Sequence, residues 1–155
     1  MRRLIALALI LGLVGAVSAA PAIAKKKKKK PPITFEASGT IAIANPGSLE
    51  GASITGNEFV ETCAIPATQG VDGFVVELSD EISKVTSTVG VSGSDATGIH
   101  DLDMYFFTAD CAPTGAASTG DADEAGVFGA GTKYVLVNAF YGAQLEFTLT
   151  ATEMK

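Results

Sequence analysis

Polar and apolar residues alternate along Asp101–Phe107, which reads DLDMYFF. The apolar face consists of Leu102, Met104 and Phe106, and the opposite face of Asp101, Asp103, Tyr105 and Phe107. Successive side chains of a β-strand point to opposite faces of its sheet, so this period of two predicts a strand with one face on a core. A second apolar stretch follows at residues 131–137 (GTKYVLV), and we expect the strand that contains it to be the partner of the first.

The same period of two marks further strands. The longest covers residues 33–43, and we expect it to bend at Gly39, because glycine within a strand often marks a bend or bulge. Residues 59–65, which carry Cys63, form another ordered segment. The remaining predicted strands cover residues 74–78, 85–91, 127–128, 133–140 and 144–151. The last two are expected to form a closing hairpin through a tight connection at residues 141–143.

Glycine, serine, proline and aspartate mark the connections between these strands. They predict turns at residues 45–48 and 79–82, a loop at 92–98, a flexible segment at 113–120 and an acidic bend at 121–126. No segment has a sustained helical period. The sequence therefore predicts an all-β fold: a single antiparallel, jelly-roll-like β-sandwich of about seven to nine strands.

The N-terminus has the three parts of a secretory signal peptide. Arg2 and Arg3 precede an apolar stretch at residues 4–17, and Ala22-Ile23-Ala24 provides an A-x-A cleavage site. The apolar stretch is shorter than the ~20 residues of a membrane-spanning helix. We expect cleavage after Ala24, no transmembrane segment thereafter, and a secreted or envelope-associated protein. The alternative is a retained helical anchor.

Charge divides the rest of the chain sharply. Residues 31–155 contain three lysines and all seventeen acidic residues, a formal charge of −14. A folded domain of this charge repels a phosphate backbone, which argues against nucleic acid as its partner. Residues 33–155 are enough for one domain with a sizeable core and too few for two ordinary domains.

A basic arm precedes the domain. It consists of Lys25, Lys26, Lys27, Lys28, Lys29 and Lys30, followed by Pro31 and Pro32. Because the arm lacks apolar residues and ends in two prolines, residues 25–32 are predicted to be disordered or extended. Two interpretations stay open. The arm is a solvated tail, or it attaches to anionic envelope polymers or lipid headgroups, with up to ~1 kcal/mol per lysine.

Two cysteines, Cys63 and Cys111, occur in a chain predicted to enter an oxidising compartment. An even cysteine count in such a setting predicts a disulfide. Closing a loop of this length stabilises the fold by roughly 4 kcal/mol in the chain-entropy model. Metal ligation by this pair is disfavoured, since no cysteine or histidine lies at ligand spacing nearby.

The order of motifs in the C-terminal half resembles bacterial pre-peptidase C-terminal domains. The residues that carry the resemblance are Asp101–Phe107, Gly120-Asp-Ala-Asp-Glu124, residues 131–137, Tyr141-Gly-Ala and the final strand at 145–149. It is clearest over residues 74–151 and weaker over 33–69. Such domains are jelly-roll-like sandwiches appended to secreted proteases and collagenases. The resemblance implies a non-catalytic role in secretion, passenger stabilisation or binding to an extracellular polymer, although no protease domain precedes it in this sequence and the cysteine pair is additional.

Carboxylates occur both on the polar face of the Asp101–Phe107 strand and in the acidic bend. If the fold brings them together with Asp110, they could supply oxygens to Ca²⁺, which takes six to eight. The candidate ligands are Asp101, Asp103, Asp121, Asp123 and Glu124. Some members of the resembled family bind calcium. The bend is not an EF-hand loop, because its twelfth position falls on Thr132. The alternative is that these carboxylates form turns, cap loops and keep the outer face in water.

Nothing in the sequence points to a catalytic site. His100 is the single histidine, and the adjacent Asp101 would point to the opposite face of a strand. A loop or strand-edge position is therefore expected for His100. There is no G-x-S-x-G nucleophile elbow. Paired carboxylates could serve a glycosidase, but the chain has no tryptophan for a sugar platform. We expect that the protein is not an enzyme.

Tyr105 and Phe107 are predicted on the outer face of the sheet. They either form an exposed binding surface rimmed by acids or are covered by a loop such as residues 113–120. The leading hypothesis is a secreted, non-catalytic module that contacts an extracellular polymer, a cell-wall component or a secreted protein. The first alternative is a calcium-stabilised structural protein attached to the envelope by its lysine arm. A small secreted hydrolase ranks third.

Overall fold

The computed structural model describes residues 29–44, 53–96, 98–141 and 144–155, and of Tyr141 the backbone alone. Within it, Pro31–Lys155 forms one compact unit. Several sequence predictions lie outside the described residues. They are the signal peptide at residues 1–24, the arm lysines Lys25, Lys26, Lys27 and Lys28, the turn at 45–48 and the connection at 142–143.

Eight strands and two short helices follow one another along the described residues. In chain order they are β1 (Thr34–Ala42), α1 (Ile54–Thr62), β2 (Gly73–Glu77), α2 (Asp80–Ser83), β3 (Ser87–Ser94), β4 (Asp101–Phe107), β5 (Pro113–Ala117), β6 (Glu124–Phe128), β7 (Tyr134–Tyr141) and β8 (Gln144–Glu153). Neither helix is both long and apolar enough to cross a bilayer.

The strands form two four-stranded sheets that pack face to face. The first sheet has the order β1-β8-β3-β6 and the second the order β2-β7-β4-β5. Neighbouring strands within both sheets are antiparallel. The predicted all-β sandwich is confirmed. The apolar faces of the two sheets share one core, as the alternating pattern requires.

Strand β4 spans the residues predicted for it and pairs with β7, as expected. Met104 lies opposite Val137 in this ladder. The apolar face of β4 enters the main core, and its three residues are at most 2% exposed: Leu102, Met104 and Phe106. The period-two pattern was therefore sufficient to place this strand and orient its inner face.

The predicted closing hairpin is wrong. Strand β7 lies between β2 and β4 in the second sheet, whereas β8 lies between β1 and β3 in the first. The chain thus crosses from one sheet to the other after Tyr141. Alternation specifies which face of each strand is apolar. It does not specify whether two consecutive strands are neighbours in one sheet or face each other from two sheets across a core.

Gly39 does not interrupt β1, because the ladder with β8 continues through it without a register shift. The glycine is needed for packing. It lies opposite Phe147, and a Cβ built on it would be 2.8 Å from the rings of both Phe147 and Phe74. On the other side of β8, Gly93 also lies opposite Phe147. Phe147 is therefore flanked by a glycine on each neighbouring strand, Gly39 on β1 and Gly93 on β3.

Helix α1 was not predicted. Ser53 caps it by accepting a hydrogen bond from the Gly56 backbone N–H at 3.0 Å, and Cys63 ends it in the left-handed conformation at φ 52°. Phe59 is its single large buried residue. A helix of nine residues that docks through one aromatic side chain has no apolar stripe, so periodicity cannot reveal it.

Further segments differ from expectation. Residues 92–94 end strand β3 and residues 124–126 begin strand β6, although a loop and a bend were predicted there. Residues 113–117, predicted to be flexible, form β5, the edge strand of the second sheet, which pairs with β4. Residues 80–83 form helix α2 where a turn was predicted. The last two segments are short and lack an apolar repeat, so tertiary contacts decide their conformation.

The predicted disulfide between Cys63 and Cys111 is confirmed. It joins the end of α1 to the loop that follows β4, across 48 positions of sequence. Both half-cystines have positive φ, 52° and 59°. The bond therefore ties the helix to the outer face of the second sheet.

Candidate functional site

The outer face of the second sheet is covered at one end by helix α1. Phe59 packs edge-on against Phe107, with ring centroids 5.3 Å apart, and against Tyr134 at 5.2 Å. These rings form a second apolar cluster with Val75 and Leu136. Phe107 is only 7% exposed, so it does not form the exposed surface considered from sequence. The cover is the helix, while residues 113–117 lie at the sheet edge.

Tyr105 is half-buried and lies next to the covered end, where a cavity of about 230 Å³ opens between α1 and the sheet. We call this the helix-side cavity. The residues that line it are Ser53, Gly56, Asn57, Val60, Tyr105, Phe107, Leu136 and Asn138. Its walls are mainly apolar, and its polar groups come from β4, β7 and the helix. The sequence could not reveal it, because α1 was not predicted.

The polar face of β4 continues from Tyr105 into two carboxylates. Asp103 is 5% exposed and its Oδ2 accepts a hydrogen bond from the Tyr105 hydroxyl at 3.2 Å. Asp101 is half-buried. Among the described residues, nothing donates a hydrogen bond to Oδ1 of either aspartate. A buried acceptor without a donor costs about 1–3 kcal/mol, so these two atoms need an explanation.

Burial raises the pKa values of both Asp101 and Asp103. The pKa of Asp101 is raised by burial first, and then by the negative charges of Asp103, Glu124 and Asp121. Burial also raises the pKa of Asp103, against the opposing effect of hydrogen bonds from Ser118 and Tyr105. Both carboxylates therefore hold their protons to higher pH than a free aspartate does.

The acidic bend lies near this end of β4, as the calcium prediction required. Glu124 is 4% exposed and accepts hydrogen bonds from the backbone N–H and the hydroxyl of Thr119. Asp121 Oδ2 is 3.1 Å from the same Thr119 hydroxyl, whose single proton is nearer to Glu124. Asp123 accepts from the Gly93 N–H at 2.9 Å. Glu124 and Asp123 are thus already engaged by donors of the protein itself.

The candidate calcium ligands are only partly assembled. Within the part of the chain that the structure describes, no group of three or more His, Cys, Asp or Glu side chains is placed to hold a metal ion. Asp110 bonds to the Thr108 hydroxyl, beyond the other end of β4 from Asp101 and Asp103. What the structure does bring together is Asp101 and Asp103, with Glu124 and Asp121 near enough to raise the pKa of Asp101.

His100 lies in the segment just before β4. Its Nε2 is 3.3 Å from Oδ1 of Asp123, a residue of the acidic bend. Its Nδ1 is buried without a hydrogen-bond partner among the described residues. This places the imidazole as a link between the bend and the start of β4.

A second surface feature lies on the outer face of the first sheet. It is a depression of about 520 Å³ that we call the hydroxyl groove. Its polar side chains are Ser38, Thr40, Ser92, Ser94, Glu146 and Thr148. They form two rows that each cross β1, β8 and β3, because Ser38 pairs with Thr148 and Thr148 with Ser92. The polar positions were evident in each strand, but their rows appear only once the strand order is known.

A scan of the chain against protein-family models finds no match, and a search of curated proteins finds no relative. The likeness to pre-peptidase C-terminal domains therefore rests on the order of motifs in residues 74–151 alone.

Proposed function

We propose that this chain is a secreted, non-catalytic β-sandwich of the pre-peptidase C-terminal type, acting as an extracellular binding or accessory module. The observation that supports this best is the hydroxyl groove, a wide depression on an outer sheet face. The signal peptide predicted at residues 1–24 and the Cys63–Cys111 disulfide suit an oxidising, extracellular setting.

The groove has the chemistry to contact a polar, uncharged polymer. Serine and threonine hydroxyls both donate and accept hydrogen bonds, and Glu146 on the central strand adds a strong acceptor. Neutral polysaccharides and protein backbones present matching donors and acceptors. The −14 formal charge of residues 31–155 opposes polyanionic polymers on this domain.

Retention on immobilised collagen, purified cell wall and neutral polysaccharides tests this function directly. We expect the secreted protein to be retained on at least one of these polymers. The Ser92→Arg variant fills the groove with a long side chain and should release the protein from that polymer.

Thr88→Arg is the matched control. Thr88 is exposed on the same face of β3, four residues and about 13 Å from Ser92, outside the groove. The Thr88→Arg variant adds the same charge as Ser92→Arg and should leave retention on the polymer unchanged. No retention on any polymer, or equal losses in the two variants, would overturn the proposed contact surface.

A calcium-stabilised structural role is the second candidate, supported by the unpartnered Oδ1 atoms of Asp101 and Asp103. A cation between them would compensate both charges, and carbonyl or water oxygens could complete its shell. Addition of millimolar Ca²⁺ to the chelated protein should then raise its melting temperature. Asp101→Asn should remove that response and Asp110→Asn should keep it. Identical melts with chelator and with Ca²⁺ would dismiss this role.

A further inference from the structure

Strand β1 forms one edge of the first sheet, and alternate residues of it point their backbone groups outward. In an antiparallel ladder, every second residue bonds to the neighbouring strand, and the residues between them direct their N–H and C=O groups the other way. Ala42 faces away from β8, because its N–H donates to the Gly70 carbonyl at 2.7 Å and its carbonyl accepts from the Asp72 N–H at 3.0 Å. The β1–β8 register is continuous, so the residues that face the same way are Thr34, Glu36, Ser38 and Thr40.

The first part of this edge is open. Within the described part of the chain, Thr34, Glu36 and Ser38 have no backbone partner on the outer side of β1. All three are exposed. Thr40 is closer to the following loop, since a Cβ on Gly70 would be 3.0 Å from its carbonyl. The edge from Thr34 to Ser38 therefore offers the alternating donors and acceptors that an added strand requires.

The other edge strands of the two described sheets are short or covered. On β2, the Gln69 side-chain amide accepts from the Val75 N–H at 2.9 Å and donates to the Val75 carbonyl at 2.7 Å, as a neighbouring strand would. Strand β5 has five residues and begins with Pro113, and β6 also has five. Strand β1 has nine residues without a bulge, a proline or a lysine, the features by which sheet edges are usually closed.

We propose that two copies of this chain associate through β1, with their β1 strands paired antiparallel about a two-fold axis. The first sheets of the two copies then join into one sheet of eight strands. The Glu36 side chains must be offset, because like charges directly opposite each other on a sheet are destabilising. The register that offsets them and keeps the open edges together places Glu36 of each copy opposite Ser38 of the other.

Charge favours a second copy as the strand that occupies this edge. Lys30, the last residue of the lysine run, precedes Thr34 by four positions. Antiparallel pairing directs the lysine run of one copy toward the C-terminal end of β1 in the other, where Asp72 and Glu146 lie. The −14 formal charge of residues 31–155 opposes association of the two domains, and the lysine runs offset that repulsion.

This association goes beyond the proposed binding function but involves the same sheet. Ser38 and Thr40 line the hydroxyl groove, so pairing through β1 places the grooves of the two copies side by side. The two proposals fail separately, because Glu36 does not line the groove. Polymer retention of a monomeric Glu36 variant would leave the groove function intact, and a dimer that no polymer retains would leave the association intact.

Sedimentation velocity of the secreted protein over a range of concentrations tests the association. Strand pairing alone buries less area than a standard interface, so we expect a dimer that dissociates on dilution. Deletion of residues 25–30 should weaken the dimer at low salt, because the repulsion between the acidic domains is then no longer offset. A protein that remains a monomer at every concentration would overturn the proposal.

Glu36→Pro removes the outward N–H at the centre of the open edge. The ladder with β8 should survive, because the Glu36 N–H faces away from β8 and proline is tolerated at such edge positions. We expect dimerisation to weaken at least tenfold, with a melting temperature close to that of the parent. Glu36→Gln is the matched control: it removes the same charge, keeps the N–H, and should dimerise as well as the parent or better. Equal dimerisation of the two variants would contradict edge pairing.

Amide hydrogen exchange of the parent protein gives a readout that does not depend on the folding of any variant. The amides of Glu36 and Ser38 should exchange rapidly in dilute protein and several-fold more slowly at dimer-forming concentration. Those of Ala37 and Gly39 face β8 and should be protected at both concentrations. Protection of Glu36 and Ser38 already in the monomer would show that the chain itself covers this edge. Dimerisation without added protection there would place the interface elsewhere, and either result would overturn the proposal.

Discussion

Asp103 carries a charge that the fold does not fully compensate. Its carboxylate is almost fully buried, one oxygen has no donor among the described residues, and Asp101 lies on the same face two positions away. Raised pKa values mean that the folded state binds protons more tightly than the unfolded state. The stability from these two groups is fully present below the aspartate pKa of the unfolded chain and is lost as pH rises through the folded values.

The first prediction is that Asp103→Asn stabilises the chelated protein at pH 7, by on the order of 1 kcal/mol, because it removes a buried charge. The gain should shrink toward pH 4, where Asp103 is increasingly protonated. Urea unfolding at both pH values measures it.

Asp80→Asn is the control, for which we expect no stabilisation. The pKa of Asp80 is lowered by its hydrogen bond to Lys133, so loss of that carboxylate should not stabilise the protein. A destabilised Asp103→Asn variant at pH 7, with the parent's pH dependence, would contradict the prediction.

Core packing requires glycine at some positions of the strands and not at others. A Cβ at Gly39 would be 2.8 Å from the rings of both Phe147 and Phe74, so at least one ring would have to shift. A Cβ at Gly90 on β3 would meet nothing closer than the Glu124 carbonyl at 3.7 Å.

The second prediction is therefore a pair of alanine substitutions with different outcomes. Gly39→Ala should destabilise the fold by about 1–3 kcal/mol through overpacking. Gly90→Ala should be neutral or slightly stabilising, because it only restricts the unfolded chain. Chemical denaturation of the two variants compares them, and similar losses in both would show that strand propensity and not core packing decides.

At the scale of elements, helix α1 owes its position to two anchors. Phe59 packs into the second apolar cluster, and the disulfide fastens the residue that follows the helix. A nine-residue helix is marginal by itself, so these contacts, with the Ser53 cap, decide its stability.

The third prediction concerns the disulfide. The Cys63→Ala, Cys111→Ala double variant should lose roughly 4 kcal/mol, the loop-closure contribution for a ring of this length. Amide hydrogen exchange should show α1 losing protection before the sheets do. Uniform loss of protection across the whole sandwich would show that the bond does not act through the helix.

At the scale of the whole molecule, charge is strongly segregated between the lysine run at residues 25–30 and the acidic residues 31–155. Of the run, Lys29 and Lys30 are described and exposed. We expect the six lysines to attach the chain to an anionic surface, because the acidic domain would be repelled by such a surface.

The fourth prediction is that deletion of residues 25–30 abolishes sedimentation with vesicles containing anionic lipid at low salt. Electrostatic attachment should also disappear for the full chain as salt rises, because screening shortens the range of the interaction. A variant with Lys84 and Lys155 changed to Gln tests whether lysines elsewhere matter. Unchanged sedimentation after the deletion would leave the arm as a solvated tail.

The sequence by itself determined the class of fold, the disulfide and the inner faces of the main strands. Alternation in β4 and β8 required one apolar face each, and burial of those faces requires a sandwich. An even pair of cysteines behind a predicted signal peptide was enough to pair Cys63 with Cys111.

Only the tertiary structure decided which strands are neighbours, where α1 docks and what the outer faces present. The β7–β8 crossover, the cover over Phe107 and the two rows of the hydroxyl groove all depend on strand order. The physical reason is that periodicity is local, whereas pairing and docking are contacts between residues far apart in the chain. Asp103 and Tyr105 therefore have a predictable face, but their burial and their unmatched acceptors come from elements that the local pattern does not encode.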